Sequence, residues 1–145
     1  PAQEAAATVA FDLALTVQNA ADVGGFEFDI LYNRAQAQIA GLTPRSFFGQ
    51  AGSCNPSVLR CAAGLGPLHK ANSSRVGAYS YGALAGANGA GTLAIIHVQT
   101  SASPDSLTFT IANALVVDSQ GRPIQNVTLQ LARATAQLFL PMVDR

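Results

Sequence analysis

Apolar and polar residues alternate along most of this chain, the period-two pattern of strands that bury one face and show the other to water. Over residues 8–17 the apolar set is Val9, Phe11, Leu13, Leu15 and Val17. A second run places Phe26, Phe28, Ile30 and Tyr32 on one face, with Glu27 and Asp29 on the other. Between the two, residues 19–25 carry Asn, Asp and paired Gly, the chemistry of a turn. A short apolar stretch over 37–42 ends at Thr43-Pro44. Strands resume at 75–81 and 92–99, the latter turning Ala94, Ile96 and Val98 inward and His97 and Gln99 outward. Leu107, Phe109 and Ile111 make one further inward set, and Val127, Leu129 and Leu131 another. The segment Asp118-Ser-Gln-Gly-Arg-Pro123 reads as a turn between them.

The pattern lapses over 48–74, which is rich in Gly, Pro, Ser and Asn and reads as one long loop. Residues 82–91 read as a flexible, glycine-rich hairpin loop, and 34–38 as one brief helical turn. No segment sustains a 3.6-residue stripe with caps. Many short strands separated by turn signals predict an all-β sandwich or barrel. At 145 residues the chain is the length of one domain. The division expected is a β-sandwich over 1–135, with 136–145 as a last strand or a linker tail.

Composition narrows the class. The chain is 49% hydrophobic and 11% charged, against roughly 25% charged for an average domain, which excludes disorder. Formal net charge is zero and no basic cluster exists, which excludes nucleic acid as a partner. No apolar run approaches the roughly 18 residues needed to cross a bilayer. Cys54 and Cys61 lie seven positions apart in a loop-like stretch. A zinc site would need His69 and His97 as well, and a redox dithiol is normally spaced Cys-x-x-Cys. A local disulfide stapling the loop is the simplest reading, with two free thiols as the alternative. The disulfide implies an oxidising setting, secreted or at a cell surface.

Three segments carry a family resemblance. Gly25-Phe-Glu-Phe-Asp-Ile-Leu-Tyr32-Asn33 resembles the second strand of cohesin modules, where a glycine precedes alternating apolar residues and a Tyr-Asp-Pro ending. Gly91-Thr-Leu-Ala-Ile-Ile-His-Val98 resembles their Gly-x-Leu-Ala-x-Ile-x-Phe strand. The segment from Ser106 to Ile124, with its Asp118-Ser-Gln-Gly turn, is similar to the late strand and Asp-x-x-Gly turn of that family. The order and spacing match over residues 8–133. Asn33-Arg34 stands where Asp-Pro is usual, and the cysteine-bearing loop lies outside the common pattern. The resemblance implies a nine-stranded jelly-roll sandwich, related to the carbohydrate-binding modules of polysaccharide-degrading systems. It also implies docking of a small helical dockerin domain carried by another protein.

Candidate chemistry is sparse. A nucleophile–base–orienter triad needs an oriented histidine, and His69 and His97 read as exposed, partly packed side chains. Glu27 and Asp29 share a strand face roughly 7 Å apart, a spacing that suits paired carboxylates but equally a solvated face. Asp118-Ser-Gln-Gly lacks the further acids of a calcium loop, and residues 82–91 lack the Lys of a phosphate-binding loop. Asn72-Ser-Ser74 and Asn126-Val-Thr128 match the glycosylation sequon. No catalytic, metal or cofactor site is therefore assigned, and the expected module is non-catalytic.

Binding remains. The cohesin resemblance places a partner surface on a sheet built from 75–81 and 92–99, with Tyr79, Tyr81, His97 and Gln99 as its outward candidates. Tyrosine brings area and a hydrogen-bonding tip at low entropy cost. A polysaccharide is the alternative ligand, weakened by the absence of tryptophan. A purely architectural unit of a larger surface protein is the third reading.

Overall fold

The computed structural model describes residues 8–134; the expected tail over 136–145 lies outside them. The described residues form seven strands: β1 Val9–Leu31, β2 Ala37–Pro44, β3 Arg60–His69, β4 Ser73–Gly82, β5 Ala87–Thr100, β6 Thr110–Asp118 and β7 Thr128–Arg133. The one helical element among them is a 3-10 turn, Pro104–Ser106, and no helix is long and apolar enough to cross a membrane.

All seven strands belong to one antiparallel sheet that folds over on itself. The axis is β1. Its first half runs between β5 and β7, and its second half between β4 and β6. β2 lies outside β5 and β3 outside β4, and β2 packs back against β3. The result is an all-β, sandwich- or barrel-like layer pair with the core between the halves. Leu13, Leu15 and Val17 reach that core from the first half of β1, and Phe26, Phe28 and Ile30 from the second.

Seven strands stand where nine are expected, and the two expected over 8–17 and 26–32 are one. The predicted turn at 19–25 does not reverse the chain. Asn19 and Asp22 take left-handed backbone angles (φ 63° and 55°) inside β1, and the register with β5 slips at each. Asn and Asp tolerate that region because short polar side chains bond their own backbone there. The slips change which parity faces inward, from odd positions before residue 18 to even positions after 25. Turn chemistry has been used for a double bulge.

The long loop expected over 48–74 contains a strand, β3. Its pattern is obscured by Gly64, Gly66 and Pro67, and it tolerates them because it is the outer neighbour of β4. The strand expected at 107–111 begins at Thr110, and the hairpin loop expected over 82–91 ends at Ala87, where β5 starts. Elsewhere the period-two reading holds. Ala94, Ile96 and Val98 are buried, and 34–36 form a turn closed by the Ala37 amide on the Asn33 carbonyl. Cys54 and Cys61 are disulfide-bonded.

Phe28 is fully buried and stacks near Phe26, which meets Phe48 edge-on. Phe28→Ala should lower the unfolding free energy by about 3–5 kcal/mol in urea titration, a cavity cost as well as a transfer cost. Replacing Cys54 and Cys61 together with Ser should cost about 2–3 kcal/mol, the loop-closure value for so short a ring. A loss below about 0.5 kcal/mol would mean that the loop is held by its hydrogen bonds alone.

Candidate functional site

The outer face of the second half-sheet, β3–β4–β1–β6, is where apolar side chains meet solvent. Residues paired across an antiparallel ladder share a face, so the registers set out this surface in rows. Ala63, Tyr79, Gly25 and Val117 make one row, and Leu65, Gly77, Glu27 and Leu115 the next. Two of the central positions are glycines, so the middle of the face is bare backbone. A Cβ at Gly77 would lie 2.5 Å from the Phe26 carbonyl oxygen, and one at Gly25 would lie 3.0 Å from Val117 Cγ2. The strands are close enough here to require glycine.

The outcome is a shallow apolar groove of about 180 Å³, floored by Gly25, Phe26 and Ala78 and walled by Leu65, Tyr79, Leu115 and Val117. That is below the roughly 300 Å³ at which small-ligand pockets begin, and it suits a single apolar side chain of a larger partner. Tyr79 and Tyr81 stand 45% and 44% exposed, their rings 5.8 Å apart and tilted by 31°. Cys61 pairs with Tyr81 and shares its face, yet is buried. The disulfide loop therefore lies over this end of the face, with Val58 and Leu59 exposed. Arg60 braces it by donating to the Ser80 hydroxyl and to the carbonyls of Ser80 and Leu84.

The other end of the groove is charged but internally neutralised. Arg75 bridges Glu27 (3.3 Å) and Asp29 (3.2 Å), and Lys70 lies 3.5 Å from Asp29. Asp29 is buried despite its outward parity, whereas a solvated acid was expected. Its Oδ2 accepts from the Asn113 amide at 2.8 Å. Oδ1 has both cations in ion-pair range, but neither N–H is aligned into a hydrogen bond. The Asn113 amide is the chief reason the Asp29 carboxyl is held below its ordinary 3.8; burial opposes it, and Arg75 and Lys70 reinforce it.

The four residues expected to share one binding surface fall into two pairs. Tyr79 and Tyr81 line the groove face. His97 and Gln99 lie on β5, which pairs with the first half of β1 at Asp12 and Ala10. His97 is hydrogen-bonded on both sides, Nδ1 to Asp12 and Nε2 to Thr43. The other histidine, His69, ends β3 with Nδ1 2.7 Å from Ser74 Oγ, which meets the buried Tyr32 hydroxyl. Leu65 and Leu115 are groove residues that sequence reasoning misses. Leu65 lies in the stretch read as loop, and Leu115 sits beyond a bulge that breaks the alternation in β6.

A lowered carboxylate adds stability that is fully present above its unfolded value of 3.8 and is lost as pH falls through the lower folded value. Asp22, lowered first by the Ser119 hydroxyl and next by the Gly86 amide, acts in the same direction. Stability should therefore fall between about pH 5 and pH 2, and Asp29→Asn should flatten that fall. An acid limb of unchanged slope in the variant would remove Asp29 from the account.

Comparison with family models, curated proteins and solved structures yields no match for the chain.

Proposed function

We propose that this chain is an extracellular cohesin-like module that binds a protein partner of the dockerin type through the groove face. The observation that carries the reading is the glycine-floored apolar groove with Tyr79, Leu65 and Leu115 around it. Exposed apolar side chains clustered on one sheet face, flanked by already paired charges, fit a surface that a partner covers. The jelly-roll reading counts β1 as two strands, one per half, which makes eight; a ninth is not among the described residues. The Cys54–Cys61 disulfide supports a secreted or surface location.

One observation favours polysaccharide as a second reading. Tyr79 and Tyr81 present adjacent exposed rings, and sugars stack on such faces. The tilt between the rings and the lack of tryptophan rank it below a protein partner.

The immobilised domain is to be tested against the secreted proteins of its source organism, with and without calcium, and in parallel on cellulose, xylan and chitin. Capture of a protein with duplicated Asp/Asn-rich helical loops, dependent on calcium, is the expected result. Tyr79→Ser with Tyr81→Ser should weaken capture at least about tenfold, the effect of losing hot-spot aromatics. His97→Ala with Gln99→Ala should leave it unchanged. Polysaccharide retention lost in the tyrosine variant would install the second reading, and silence in every lane would leave an architectural module.

A further inference from the structure

The outer face of the first half-sheet holds a carboxylate, an imidazole and a hydroxyl in one hydrogen-bonded line across three strands. Asp12 Oδ1 on β1 lies 2.9 Å from His97 Nδ1 on β5, and His97 Nε2 lies 2.8 Å from Thr43 Oγ1 on β2. Asp12 and His97 are direct cross-strand partners. Thr43 joins them because β2 carries a bulge between Ile39 and Gly41. Gln38 before the bulge and Thr43 after it are both exposed although their parity differs, so the bulge is what turns the hydroxyl toward the imidazole.

The direction of each bond follows from the atoms. An ionised carboxylate can only accept, so the proton of the Asp12–His97 bond resides on Nδ1. In the neutral ring Nε2 is then a bare lone pair, and the Thr43 hydroxyl must donate to it. Nucleophile, base and orienter thus stand in the order that acyl-transfer triads use.

We propose that Thr43 is an activated nucleophile that accepts the acyl group of small, activated esters, with His97 as general base and Asp12 as its positioning residue. Thr43 Oγ1 attacks the ester carbonyl and its proton passes to Nε2. The tetrahedral carbon then expels the alkoxide or phenolate, which takes the proton from His97 or leaves as the anion while His97 releases that proton to solvent, so that the imidazole is again neutral. Water attacks the acyl-threonine and delivers a proton to His97, and Oγ1 departs and recovers its proton. One ester and one water become one acid and one alcohol.

Exposure fixes the substrate class. The side chains of Asp12 and His97 are 47% and 43% exposed, Thr43 is exposed, and Gly41 and Ala14 occupy neighbouring positions of the ladder. The face admits any small ester and grips none. Little binding energy is available to lower the barrier, so the leaving group must be good and the rate should rise in proportion to ester concentration. None of this involves the Tyr79 groove, so the two proposals fail separately.

The probe is p-nitrophenyl acetate, with phenolate release followed optically and the acetylated peptide mapped by mass spectrometry on the wild-type protein. Acetyl on Thr43 is the expected product. Thr43→Val and His97→Gln should each slow release about 100-fold, the low end of general-base effects, while Thr43→Ser retains it. Urea midpoints of each variant separate lost chemistry from lost folding. Acetyl found only on lysine or histidine, or full activity in Thr43→Val, would overturn the proposal.

Discussion

Every part of this fold depends on one strand being buried in two half-sheets at once. β1 is 23 residues long, and each half of it supplies the core of a different layer. A straight strand cannot do this with a constant parity once the sheet folds over. The slips around Asn19 and Asp22 meet the constraint by admitting extra residues, so that Leu13, Leu15 and Val17 and then Phe26, Phe28 and Ile30 point into the same interior. Strands β4 to β7 inherit their layer from the half of β1 they pair with, and β2 and β3 follow β5 and β4.

The bulge is held in place by its own side chains. Asp22 accepts from the Gly86 amide and the Ser119 hydroxyl, while its own amide donates to Asn88. One residue thereby ties the bend of β1 to the loop entering β5 and to the turn leaving β6. That turn is built by Asp118, whose Oδ1 accepts from the amides of Gln120 and Arg122. The same clasp brings Gly24 so near Ser119 that a Cβ there would lie 2.6 Å from its Cα. The groove begins at the next residue, so its position follows from the bend.

Local alternation made most strands readable, because a period of two reports burial directly. It failed where burial is decided by distant partners. β3 was hidden by glycine and proline that an outer strand tolerates. Asp29 reads as a solvated acid until Asn113, Arg75 and Lys70 are brought around it from three other segments. Tyr79 and Gln99 both read as outward-facing residues, and both are exposed, but alternation carries no information about which half-sheet a strand joins. The place of Thr43 is hidden for a similar reason, since the bulge upstream of it leaves no mark in a short apolar run that ends at proline.

The place of β7 has a consequence for synthesis. Residues 13–18 of β1 are synthesised well before their partner on one side, residues 128–133. Until β7 is made, the segment Leu13-Ala-Leu-Thr-Val17 presents an open, apolar strand edge to everything nearby. Pairings this distant in the chain close slowly, and unpaired edges recruit other chains while they wait. Truncation or stalling before β7 is made should therefore harm this protein out of proportion to the six residues of that strand, by leaving an adhesive nascent chain in place of a closed sheet.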